Sequence, residues 1–108
     1  MKMDITKTEL MQANLLAQQT FFEKHGEPLY CGFAWVDVPV TRTNSKQAKM
    51  LAELGFTKSW LPKTMQLWVG QKVGDYGQSM DIKIAGAQAM VEVLEKHGIK
   101  ATYGCRAD

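Results

Sequence analysis

The chain predicts an α+β fold: a ferredoxin-like βαββαβ core with a four-stranded antiparallel sheet and an additional N-terminal helix. Three observations carry this expectation. Residues 31–38, Cys-Gly-Phe-Ala-Trp-Val-Asp-Val, are a run of strand formers. Two segments of helical periodicity further along the chain are bounded by capping residues and glycine stops. After a first helix the elements follow as strand, helix, strand, strand, helix, strand, the split βαβ order. A chain of 108 residues suits one domain spanning 1–108, with 6–25 as the added helix and 30–105 as the core.

The first helix is expected from Thr6 to His25. Thr6 and Glu9 have capping-box spacing, in which each side chain satisfies a backbone N–H that the helix leaves unpaired. Met11, Leu15 and Phe22 form one stripe, widened by Leu10, Ala17 and Phe21, so the helix has an apolar face to bury. Gly26 and then Pro28 end it. Residues 30–38 form the first strand. Gly32, Ala34, Val36 and Val38 face one way, and Cys31, Phe33, Trp35 and Asp37 the other. Both faces carry apolar groups, the pattern of a strand covered on both sides, or covered on one side with the other used for binding.

Asn44 or Ser45 caps a second helix through Leu54, with Gly55 as its stop. Phe56–Trp60 and Met65–Val69 pair as a hairpin around the turn at 61–64. The glycines at 70, 74 and 77 match neither a phosphate loop nor a dinucleotide fingerprint. Ser79 caps a third helix to His97, whose stripe is Ile84, Ala87, Val91 and Leu94, and Ile99–Cys105 is the fourth strand. The recurrence of Glu-Lys-His-Gly at 23–26 and 95–98 reflects shared helix-ending chemistry, because the flanking sequences diverge.

Right-handed crossovers then give the spatial order fourth, first, third, second. Cys31 and Cys105 fall at one end of the sheet as a consequence of topology. Phe33, Trp35 and Trp68, with Gln66, share the face away from the second and third helices. The apolar stripe of the first helix needs cover, so that helix is expected over these rings.

Net charge is +2 and uneven. Between residues 42 and 72, Arg42, Lys46, Lys49, Lys58, Lys63 and Lys72 stand against Glu53 alone, a balance of +5, and the rest of the chain sums to −3. Such a block, with Trp60 and Trp68 among it, is suited to an anionic partner. The longest apolar runs fall far short of the roughly 20 residues a membrane span requires. The N-terminus has no signal-peptide pattern, and two cysteines with two histidines at unrelated spacings support neither a disulfide scaffold nor a zinc site. The expectation is a cytoplasmic protein without cofactor, metal or membrane.

Residues 31–36, Gln78-Ser79-Met80-Asp81, Ala85-Gly86-Ala87 with Val93-Leu94, and the ending from Gly98-Ile99-Lys100-Ala101 to Arg106-Ala107-Asp108 resemble a group of short, uncharacterised proteins of tailed bacteriophages and prophages. The resemblance covers most of residues 31–108 and leaves the first helix and the basic middle largely unmatched. It implies a small accessory protein acting in an infected bacterial cell and carries no catalytic residue with it.

The leading functional expectation is a non-enzymatic protein that binds a host protein or nucleic acid through Arg42, Lys46, Lys49, Lys58, Trp60, Lys63, Trp68 and Lys72. The alternatives are a small enzyme with Cys105 as nucleophile and His25 or His97 as base, and a homodimeric structural or assembly protein.

Overall fold

A computed structural model describes residues 5–26, 32–42, 45–69 and 80–107. Three helices and four strands follow in the order α1 (Lys7–His25), β1 (Gly32–Pro39), α2 (Lys46–Glu53), β2 (Thr57–Lys58), β3 (Thr64–Trp68), α3 (Met80–Lys96) and β4 (Thr102–Ala107). The architecture is α+β with a four-stranded antiparallel sheet in the order β2-β3-β1-β4. β1 is interior, flanked by β3 on one side and β4 on the other.

Local chemistry accounts for the helix ends. Thr6 Oγ1 accepts from Glu9 N at 3.1 Å and Ser45 Oγ accepts from Ala48 N at 3.2 Å, each satisfying a first-turn donor. Only half of the expected capping box at Thr6 forms, because the Glu9 carboxylate bonds His97 Nε2 at 3.1 Å instead. That contact ties the start of α1 to the end of α3. α2 and α3 close with paired reverse bonds: Gly55 N to Ala52 O with Phe56 N to Leu51 O, and Gly98 N to Glu95 O with Ile99 N to Leu94 O. Gly55 (φ 106°) and Gly98 (φ 79°) adopt the left-handed backbone this motif needs.

Ala34, Val36 and Val38 of β1 are fully buried against Ala48 and Leu51 of α2, Ala87, Met90 and Leu94 of α3, and Leu10 of α1. All three helices therefore contribute to the layer on one face of the sheet. Three expectations need correction here. α1 packs along α3 rather than over the aromatic face. Its buried positions are Leu10, Asn14 and Gln18, whereas Leu15 is 39% exposed. A polar pair is buried in place of the expected leucine because Gly86 of α3 lets α1 approach closely: a Cβ at Gly86 would overlap Asn14 Oδ1.

The second correction concerns β4, which begins at Thr102 rather than Ile99. Ile99 and Ala101 are buried core residues that precede it. The third concerns β2, which shrinks to two residues at the sheet edge. Cys105 stands opposite Ala34 as a free, exposed thiol, and Cys31 lies outside the described residues. So do Asn44, Ser79 and the glycine-rich stretch 70–79, on which further expectations rested.

Candidate functional site

Directly opposed residues in an antiparallel pair project to the same face. The register Trp35↔Trp68 and Asp37↔Gln66 between β1 and β3 therefore sets four side chains in a square on the face away from the helices. Each tryptophan is tied to the acceptor two residues along its own strand. Trp35 Nε1 donates to Asp37 Oδ2 at 3.2 Å, and Trp68 Nε1 donates to Gln66 Oε1 at 2.8 Å. The indole N–H groups are thus satisfied within the face, and both rings are held in one orientation.

The rings also contact one another. Trp35 and Trp68 have centroids 4.9 Å apart at 47°, and Phe33 meets Trp68 edge to face at 5.9 Å and 81°. On the other side of Trp35, Gly104 of β4 supplies room: a Cβ there would stand 2.7 Å from Trp35 Nε1 and 2.8 Å from two further indole carbons. Small size, not backbone conformation, is what this position requires. The platform is open, since Phe33 is 36% and Trp68 49% exposed.

Asp37 is the carboxylate of this surface. Burial raises its pKa above the usual 3.8, while the Trp35 and Gln66 side chains beside it act in the opposite direction. Positive charge lies at the Phe33 end. Arg106 of β4 is exposed directly opposite Phe33 on the same face. Lys83 of α3 reaches the end of β1, where Nζ donates to Gly32 O at 3.1 Å and lies 5.1 Å from the Phe33 ring centroid.

The basic residues expected to form the site are not gathered on this platform. Lys46 and Lys49 are exposed on α2 in the helical layer. Lys58 is exposed on β2, and Trp60, 84% exposed, and Lys63 lie in the turn before β3, with Lys63 at a left-handed φ of 54°. Arg42 is exposed after β1, and Lys72 falls outside the described residues. Of the expected site, only Trp68 belongs to the ring cluster. Arg106 and Lys83 were missed. Arg106 was legible from strand alternation once β4 is carried past Cys105, whereas no pattern in α3 marks Lys83 as reaching Phe33.

Of the two candidate bases of the enzyme alternative, His97 is not brought to Cys105. His97 bonds Glu9 and the His25 ring packs on Phe21 at 4.4 Å. Gly32, which pairs with Ala107, lies against Met80 at the start of α3, so Cys105 is near that end of the helix. His97 follows the other end, on the order of 20 Å away at 1.5 Å per helical residue. Among the described residues no group of three or more His, Cys, Asp or Glu could hold a metal ion, and no helix is long and apolar enough to cross a membrane. Comparison of the chain with family models, curated proteins and solved structures finds no match to any of them.

Proposed function

We propose that this chain is a non-enzymatic binding protein that takes single-stranded nucleic acid on the open face of its sheet. The single observation that carries the reading is the cluster of Phe33, Trp35 and Trp68 on one face of the sheet, with Phe33 and Trp68 exposed, Trp35 half-buried beside them and both indoles pinned by hydrogen bonds. Flat rings on a sheet accept unstacked bases at about 1 to 3 kcal/mol each, and they do so without sequence preference. Pinning the rings in advance reduces the ordering cost on binding. Arg106 beside Phe33 is placed to meet a backbone phosphate or to stack on a base. The basic residues Arg42, Lys46, Lys49, Lys58 and Lys63 then supply longer-range attraction to a polyanion, and Trp60 is a further exposed ring outside the cluster.

The strand order with β1 interior supports reading the core as ferredoxin-like, the layout that RNA-recognition modules use to present aromatic residues to bases. The resemblance to phage proteins supports a place among accessory proteins of an infected bacterial cell. The test is fluorescence anisotropy of labelled single-stranded RNA and DNA at low and physiological salt. Binding should weaken as salt rises, and Phe33→Ala and Trp68→Ala should each weaken it about tenfold, the equivalent of one lost stacking contact. Unchanged anisotropy at low salt with folded protein would remove this reading.

A further inference from the structure

α1 carries two features uncommon in a helix that meets only water on its outer side: a polar pair turned inward and a leucine turned outward. Asn14 and Gln18 are buried against α3 at 2% and 0% exposure, while Leu16 is 67% exposed on the other side. Gln18 Nε2 donates to Asn14 Oδ1 at 2.7 Å, and Gln18 Oε1 is buried without a partner among the described residues. A helix whose outer side meets only water carries its polar groups there. This one carries Leu15 and Leu16 among its exposed polar groups, at 39% and 67% exposure.

Beside Leu16 runs a shallow trough of about 630 Å³ between α1 and α3, floored by Ala13 and Ala17 on one helix and Ala85 and Ala89 on the other. The four-residue spacing of each alanine pair puts both on one side of its helix, so a bulky side chain can seat between the helices. We propose that this surface is the interface with a second copy of the chain, related by a two-fold axis, with Leu16 of each copy seated in the alanine trough of the other.

Two features favour a second copy over an unrelated helix. The protruding leucine is itself part of the trough's lining, so knob and trough lie on the same patch, as a two-fold contact requires. The charged and titratable groups lining the trough are Lys24, His25 and Lys96 with Glu92, so the two-fold contact can set Glu92 of one copy against a lysine of the other. The aromatic face of the sheet lies outside this contact, and the inference does not depend on what that face binds.

The test is solution mass by light scattering across a concentration series. The expected result for the natural chain is twice the 12.1 kDa chain mass. Leu16→Glu should yield the single-chain mass with an unchanged far-UV circular dichroism spectrum, since Leu16 is mostly exposed within one chain. Ala89→Trp, which fills the trough from the other side, should do the same. A single-chain mass for the natural sequence up to its solubility limit overturns the proposal and leaves the surface to a different protein. A dimer that survives Leu16→Glu but is lost in Trp68→Ala also overturns it, by moving the contact to the sheet.

Discussion

The indole of Trp35 reaches across β1 onto Gly104 of β4, where a single added carbon would stand 2.7 Å from its Nε1. The two residues are register partners, so the glycine is what allows the ring to lean toward β4 while its N–H holds Asp37. The arrangement of the platform therefore depends on a missing side chain on the neighbouring strand.

Gly104→Ala should displace the ring and break the Trp35–Asp37 bond. The expected outcome is about a tenfold loss of affinity for single strands, the loss of one stacking contact, with a near-native far-UV spectrum. The check is anisotropy beside circular dichroism. Full affinity in a folded Gly104→Ala protein would show that the position of Trp35 does not matter.

Gly86→Ala tests the docking of α1 on α3. The added carbon overlaps Asn14 Oδ1, whose side chain is held by Gln18. Overpacking typically costs about 1 to 3 kcal/mol, against a gain of up to about 1 kcal/mol from helix propensity. A net loss of about 1 kcal/mol in urea unfolding is expected. The cost should be reduced in an Asn14→Ala background, where the overlapping atom is gone, and a double-mutant cycle measures that coupling.

Asp37 makes stability depend on pH with a definite sign. Its folded-state pKa is raised, chiefly by burial, so the folded protein holds this proton more tightly than the unfolded chain. The stabilisation is fully present below the ordinary value of 3.8 and is lost as pH rises through the higher folded-state pKa. Asp37→Asn should remove this decline, leaving a flatter profile than the natural protein from pH 3.8 upward in urea titrations at stepped pH. An unaltered profile would mean that the carboxylate is no harder to ionise in the fold than outside it.

Much of this architecture is legible in the residues because single side chains set it locally. Thr6 and Ser45 start helices, Gly55 and Gly98 stop them, and the alternation of residues 32–38 separates a buried from an open face. Tertiary fit decides what alternation and periodicity do not. α1 turns Asn14 and Gln18 inward because Gly86 opens a slot across from them, and periodicity alone favours the leucines. Ile99 and Ala101 read as strand because they are apolar, yet they fill core space after the α3 stop. The candidate site was partly legible: Phe33, Trp35 and Trp68 follow from strand alternation. Arg106 lies beyond the expected strand end at Cys105, two residues short of the observed end at Ala107, and the basic block at 42–72 stands out by composition although its described residues are dispersed over a helix, an edge strand and loops.

The most direct measurement is a two-dimensional nitrogen–proton NMR spectrum of the three indole N–H groups, recorded while a short single-stranded oligonucleotide is added. The account predicts that the Trp35 and Trp68 signals move together and lose their shifts when salt is raised, with Trp60 moving less. Signals from Trp35 and Trp68 that stay fixed while Trp60 alone responds, or three signals that never move, would contradict it.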